Sequence, residues 1–174
     1  AMYGSVLSGG LGGHIYGAGG WGGGIWSGEV EAEAKFPIWD ALRWQSADQL
    51  RHLKTFVLSE IERYQDLVPN PDSLVPSRSA KPDGLTGWAY SAGTIDHQLF
   101  LLYFEKGCPS ATLSGAAPAG TYHAQWFDPR LGHWRRPSAK VTADREGHIA
   151  LPPFPCGNAI SADDWGLKLT LSDG

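Results

Sequence analysis

Positive charge is scarce in this sequence: 14 Lys and Arg stand against 18 Asp and Glu, the formal net charge is −4, and only 18% of residues are charged. No basic stripe or cluster offers an electrostatic footprint, which argues against nucleic acid and against an anionic membrane surface as partners. No run of about 20 apolar residues occurs, so no membrane-spanning helix is expected. The first residues lack the charged and apolar regions of a signal peptide. Localisation is left open by this, with a secreted or periplasmic site suspected. Cysteine is limited to Cys108 and Cys156, both beside prolines. They form either one disulfide, if the protein is exported, or two unrelated thiols. Cys-x-x-Cys, His-Glu-x-x-His and Asp-rich calcium loops are all missing, so neither a metal nor a cofactor is expected.

What the chain has in abundance is glycine and tryptophan: 23 Gly and eight Trp within a composition that is 42% apolar. This is the balance of a chain with enough apolar residues for a core. Many of the glycines fall early, from Gly4 to Gly24, interleaved with His14, Ile15, Tyr16, Trp21 and then Ile25 and Trp26. Val6 and Leu7 read as the end of a buried strand that runs into this loop. A flexible linker is the competing reading, but linkers are rich in Gly and Ser without aromatic and apolar residues threaded through them. Gly17-Ala-Gly-Gly-Trp-Gly22 matches the spacing of a dinucleotide-binding turn. No helix-forming apolar period follows it, because Ser27 to Lys35 is acidic, so the match carries no weight.

Pro37 to Trp44 suits a short amphipathic helix, with Ile38, Trp39 and Leu42 on one side. Ser46 and Gln49 have capping-box spacing, Asp48 sits in a first turn, and Leu50, Leu53, Val57, Ile61 and Tyr64 recur at helical spacing. These predict a helix from about Ala47 to Tyr64, stopped by Pro69 and Pro71. His52, Glu60 and Glu62 lie off the stripe, as a solvated face would. Residues 69–83 are rich in Pro, Ser and Asp and read as a linker.

From Gly84 the period changes to two. Trp88, Tyr90 and Ala92 alternate, His97 to Glu105 is apolar on both faces, Tyr122, Ala124 and Trp126 alternate with His123, Gln125 and Phe127, and Leu167, Leu169 and Leu171 alternate with Lys168, Thr170 and Ser172. Asp128-Pro-Arg-Leu-Gly132 and Asp144-Arg-Glu-Gly147 are placed as reverse turns. The fold class expected is therefore α+β as a chain. A terminal βα unit in residues 1–68 and an antiparallel β-sandwich in 84–174 form separate structural units.

A lone βα unit cannot bury both faces of its strand, and a (β/α)8 barrel needs about 250 residues. Val6-Leu-Ser-Gly-Gly, Gly13-His-Ile-Tyr-Gly17, Ile25-Trp26, Trp39, Leu42, the Ser46 to Leu53 helix start and Leu67-Val-Pro69 resemble the end of the catalytic barrel in apiosidase-like glycoside hydrolases. Gly120-Thr-Tyr-His-Ala-Gln-Trp-Phe-Asp-Pro-Arg-Leu-Gly132 resembles a strand and turn of the collagen-binding-type β-sandwich that follows that barrel. The resemblance implies a glycosidase whose two catalytic carboxylates lie on earlier barrel strands, carried by a complementary segment or chain. It leaves no catalytic residue in these 174. This chain would add the eighth strand and a loop in which Tyr16, Trp21 and Trp26 stack on sugar rings and His14 bonds a hydroxyl, packing being the competing role for each. Among the acids, Glu29 and Glu31 are nearest the aromatic loop, Asp128 is placed to cap its own turn, and no convincing catalytic pair stands out. The alternative function is a non-catalytic module that binds carbohydrate or protein.

Overall fold

The computed structural model describes residues 2–10, 12, 43–81 and 86–172. Those residues form a mixed fold, mostly antiparallel sheet with few helices.

The chain enters as a helix, α1 (Met2–Leu7), where the sequence had suggested a strand. Tyr3, Val6 and Leu7 are buried at helical spacing, on one face. A short apolar run cannot distinguish a strand from a buried helical turn by periodicity alone, and here packing decides. Gly9, at φ +104°, ends the helix, and the Gly10 N–H closes the turn on the Ser5 carbonyl at 2.9 Å.

The second described helix, α2 (Gln45–Val57), carries Asp48 in its first turn as expected. Its N-cap position is Trp44, without a side-chain cap hydrogen bond, so the Ser46–Gln49 spacing lies inside the helix rather than at its boundary. It also ends earlier than the prolines suggest. A 3-10 helix, Ile61–Asp66, follows, and Ile61 takes φ +49°. The turn delivers the chain to the sheet edge as β1 (Leu67–Pro69), which pairs antiparallel with residues 92–94. Leu53 is buried as the stripe required, but the deepest side chain of α2 is Phe56, which the stripe omitted.

Residues 69–83, read as a linker, are in part regular structure. Pro69 closes β1, Pro71–Ser73 is a 3-10 turn, and Leu74–Val75 is β2. Then come β3 (Ala89–Thr94), β4 (Leu99–Phe104), β5 (Thr112–Leu113), β6 (Thr121–Asp128), β7 (His133–Trp134), β8 (Ala139–Thr142), β9 (Ile149–Ala150) and β10 (Trp165–Leu171). The larger sheet runs β1-β3-β4-β10-β6-β7, with β8 pairing with β6 beyond β7; the smaller runs β2-β5-β9. Every pairing among the described strands is antiparallel. The parallel neighbour that a barrel's last strand requires is therefore not found among the described residues.

Strand alternation sorts the side chains into two cores. Phe100, Leu102, Phe104, Tyr122, Ala124, Leu167 and Leu169 face the small sheet and meet Leu74, Leu113 and Ile149. Leu99, Leu101, Tyr103 and Phe127 face the other way and meet Tyr3, Val6, Leu7, Leu53, Phe56 and Leu67. All six residues of β4 are buried, as a strand covered on both faces must be. The second core joins residues from 1–68 to residues from 84–174. Cys108 is buried and Cys156 exposed, and both are free thiols.

Candidate functional site

The four residues expected to line a sugar site, His14, Tyr16, Trp21 and Trp26, lie outside the described residues. So do Glu29, Glu31, Glu33, Asp40 and, of the short helix expected over 37–44, all but Arg43 and Trp44, which form a turn and bend before α2. What is described is the platform on which the glycine-rich segment begins, and it is closely fitted. A Cβ on Gly4 would lie 2.6 Å from the Tyr90 ring, so only glycine lets α1 approach the sheet there. Tyr3 stacks on Tyr103 with centroids 4.5 Å apart and planes at 9°. The Tyr103 hydroxyl donates to Asp164 at 2.7 Å. Burial, with Asp164 next in weight, pushes both phenols well above the usual tyrosine range, so both are neutral.

The turn read from sequence as Asp128 to Gly132 ties helix to sheet. Asp128 is 2% exposed and accepts from the Arg130 backbone at 3.0 Å and from the guanidinium at 3.0 and 2.9 Å. Burial alone would raise its pKa, but the Arg130 bonds outweigh this and hold the carboxyl below its ordinary value. Arg130 also pairs with Asp163 at 2.6 Å and lies over the Trp165 ring at 5.1 Å. On the other side the His52 Nδ1–H donates to the Pro129 carbonyl at 2.9 Å. Gly132 has φ +69°, and a Cβ there would sit 2.3 Å from the His52 ring. His52 and Glu60, expected on a solvated face, are thus docking contacts: Glu60 pairs with Lys168, whose ammonium stands 4.7 Å from the Trp134 centroid.

The second buried carboxylate, Glu105, accepts from the Trp88 N–H at 3.3 Å and the Tyr90 hydroxyl at 3.5 Å. Burial raises its pKa, partly opposed by the Trp88 bond. Both buried carboxylates among the described residues are therefore engaged in holding the fold. Among the described residues one group has metal-ligand composition, Asp144, Glu146 and His148, with ligand atoms within 4.8 Å of one another. All three are exposed, and Asp144 accepts from the Glu146 and His148 backbone at 2.9 and 2.8 Å, as an ordinary turn cap.

A groove of about 870 Å³ opens on the small-sheet side. Its floor is the edge strand β2, and its lining includes Asp72, Val75, Ser77, Arg78, Ser79 and Ile160. The Arg78 guanidinium lies 5.4 Å from the Trp88 ring centroid. Sequence reasoning missed this groove because its floor was assigned to a linker and its far wall comes from Gly107, Pro109 and Ile160. The sole local signal was Ser-Arg-Ser at 77–79, set in a proline-rich stretch.

The described residues thus form two antiparallel sheets that share a core, with helices on the other face of the larger sheet. No protein-family model and no curated protein matches the chain. Among solved structures, the chain is similar to one described as "Glycoside hydrolase", with a TM-score of 0.57 and 20% identity over 84% of this chain and 30% of that one. It is also similar to a glycoside hydrolase family 5 protein from Bacteroides vulgatus ATCC 8482, with a TM-score of 0.53 and 18% identity over 80% of this chain and 27% of that one. At such identity the likeness is one of fold, and the chain spans less than a third of either neighbour.

Proposed function

We propose that this chain is the C-terminal part of a glycoside hydrolase of the apiosidase-like type, acting on plant or microbial polysaccharide or oligosaccharide. It contributes a substrate-lining loop, with His14, Tyr16, Trp21 and Trp26, and a β-sandwich. The catalytic carboxylates come from barrel strands in a complementary segment or chain. The observation that carries this reading is the extent of the fold likeness. Residues 84–174 are about half of the sequence, so a likeness spanning 84% of the chain takes in part of its first 83 residues as well. The commitment of Glu105 and Asp128 to structural hydrogen bonds supports placing the chemistry elsewhere, since glycoside hydrolysis generally needs two free carboxyl groups about 5–10 Å apart.

The test is an assay of the purified 174-residue chain against aryl glycosides and plant oligosaccharides, beside a protein that carries the upstream segment. The isolated chain should be inert and the longer protein active. Turnover by the isolated chain that vanishes in Glu29→Gln or Glu31→Gln would move the catalytic machinery into this sequence. The groove on the small-sheet side favours a second reading, a module that binds carbohydrate without cleaving it.

A further inference from the structure

We infer that the groove floored by β2 is a binding site for a neutral oligosaccharide segment. The inference deepens the proposed function and rests on its carbohydrate reading for the ligand class. The volume, about 870 Å³, lies within the range of ligand clefts. Both walls are fixed by backbone hydrogen bonds. On one side the Ser79 N–H donates to the Gly87 carbonyl at 2.7 Å and the Ala89 N–H to Ser77 at 2.8 Å. On the other, the Gly107 N–H donates to Ser161 and the Ser161 N–H to Cys108, each at 2.8 Å. A groove laced in this way needs little ordering on binding, which is a large part of what association costs.

The lining chemistry selects the ligand. Val75 and Ile160 are 65% and 60% exposed, so their apolar surface is available to the C–H face of a sugar ring. Ser77, Ser79 and Asp72 offer acceptors and hydroxyl donors, and Arg78, held against Trp88, offers a fan of N–H donors. Among the described lining residues there is one cation and one anion, so they favour neither a polyanion nor a polycation. An extended peptide adding to the edge of β2 fits poorly. The strand is two residues long, and Pro76, which has no N–H, follows it. Asp72 is the single carboxylate among the described lining residues, so these residues would hold a glycan without supplying the carboxyl pair that cleaves it.

Affinity electrophoresis of the purified 174-residue chain in gels containing xylan, glucomannan, galactan, arabinan or polygalacturonate tests this. Retardation is expected in at least one neutral gel. Val75→Asp, which places a charge on the exposed floor, and Arg78→Ala should each weaken it about tenfold or more while melting is unchanged. No retardation in any neutral gel, retardation by polygalacturonate alone, or full retardation of folded Val75→Asp overturns the inference. If Arg78→Ala loses its fold through the Trp88 contact, Val75→Asp alone decides. Binding and hydrolysis fail separately. A longer protein that cleaves glycan while this chain binds none leaves the hydrolase reading standing without the groove, and binding without hydrolysis in either protein does the reverse.

Discussion

The two faces of the larger sheet are closed by different means. Toward the small sheet, Phe100, Leu102, Phe104, Leu167 and Leu169 meet other strands, and the contact follows from alternation along each strand. Toward the helices, the fit depends on glycines that admit a ring, Gly4 against Tyr90 and Gly166 against Phe56, and on polar pins, His52 to Pro129 and Glu60 to Lys168. The first face tolerates changes that preserve volume and pattern, whereas the second is held by a few contacts with no substitute nearby. Interlocking by individual contacts is what a helix needs when it packs on a sheet from a distant stretch of chain.

The sharpest way to break this comparison is at Phe56, fully buried with Tyr3, Phe127 and Trp134 rings at 5.6, 5.4 and 5.9 Å. Phe56→Ala should cost about 3–5 kcal/mol in denaturant unfolding, and the helical and sheet signals should be lost together if the faces are one cooperative unit. Separate transitions would mean that 1–68 and 84–174 fold as independent units, as their sequence periods suggest. Gly132→Ala comes next. The left-handed backbone and the His52 ring together should make it cost about 2–3 kcal/mol. In a His52→Ala background only the backbone cost of about 1 kcal/mol should remain. An undiminished penalty there would remove His52 from the account.

Ile61 tests the far end of the helix. It is β-branched, 77% exposed and at φ +49°, so Ile61→Gly should raise stability by about 0.5–1 kcal/mol, measured as a shift in the denaturation midpoint. A loss of stability would mean that Ile61 makes an apolar contact worth more than its strain. The smallest effect is one of pH. Because burial raises the folded-state pKa of Glu105, the native protein binds its proton more readily than the unfolded chain, and stability falls as pH rises through the raised value. Glu105→Gln should therefore melt higher than the parent at neutral pH, with the difference closing as pH falls into the ordinary carboxylate range. Asp128 has the opposite sign: its lowered pKa adds stability above the ordinary carboxylate range, which is lost as pH falls through the folded value. A Glu105→Gln curve parallel to the parent across that range would show that the carboxyl is not shifted.

The sheet side of this comparison was legible in the sequence, because burial on one face of a strand imposes a period of two and the reverse turns carry Asp, Pro and Gly where backbone geometry needs them. Thr121 to Asp128 and Trp165 to Leu171 fall where that period places them, and Leu99 to Phe104 falls within the run that reads as apolar on both faces. The helix side was less so. Tyr3, Val6 and Leu7 have too few residues for a period to show, and Phe56 is set by the space above Gly166, 110 residues further along the chain. Of the site, the sequence supplied His14, Tyr16, Trp21 and Trp26 as candidates, which fall outside the described residues. Beyond Ser77-Arg-Ser79 nothing in it pointed to a groove whose walls are brought together only by long-range pairing. His52 and Glu60 looked solvated because their partners, Pro129 and Lys168, belong to strands and turns far along the chain.

The place of β10 has a consequence for how the protein is made. It is the last described strand to be synthesised, yet it lies between β4 and β6 and supplies the register that joins them. Until residue 171 has left the ribosome, β4 and β6 each present an unpaired edge, and β4 is apolar along its whole length. The nascent sheet therefore waits half-built, with its stickiest strand uncovered. During that interval premature termination or a stalled ribosome would release a chain prone to aggregate, and chaperone attachment would matter most.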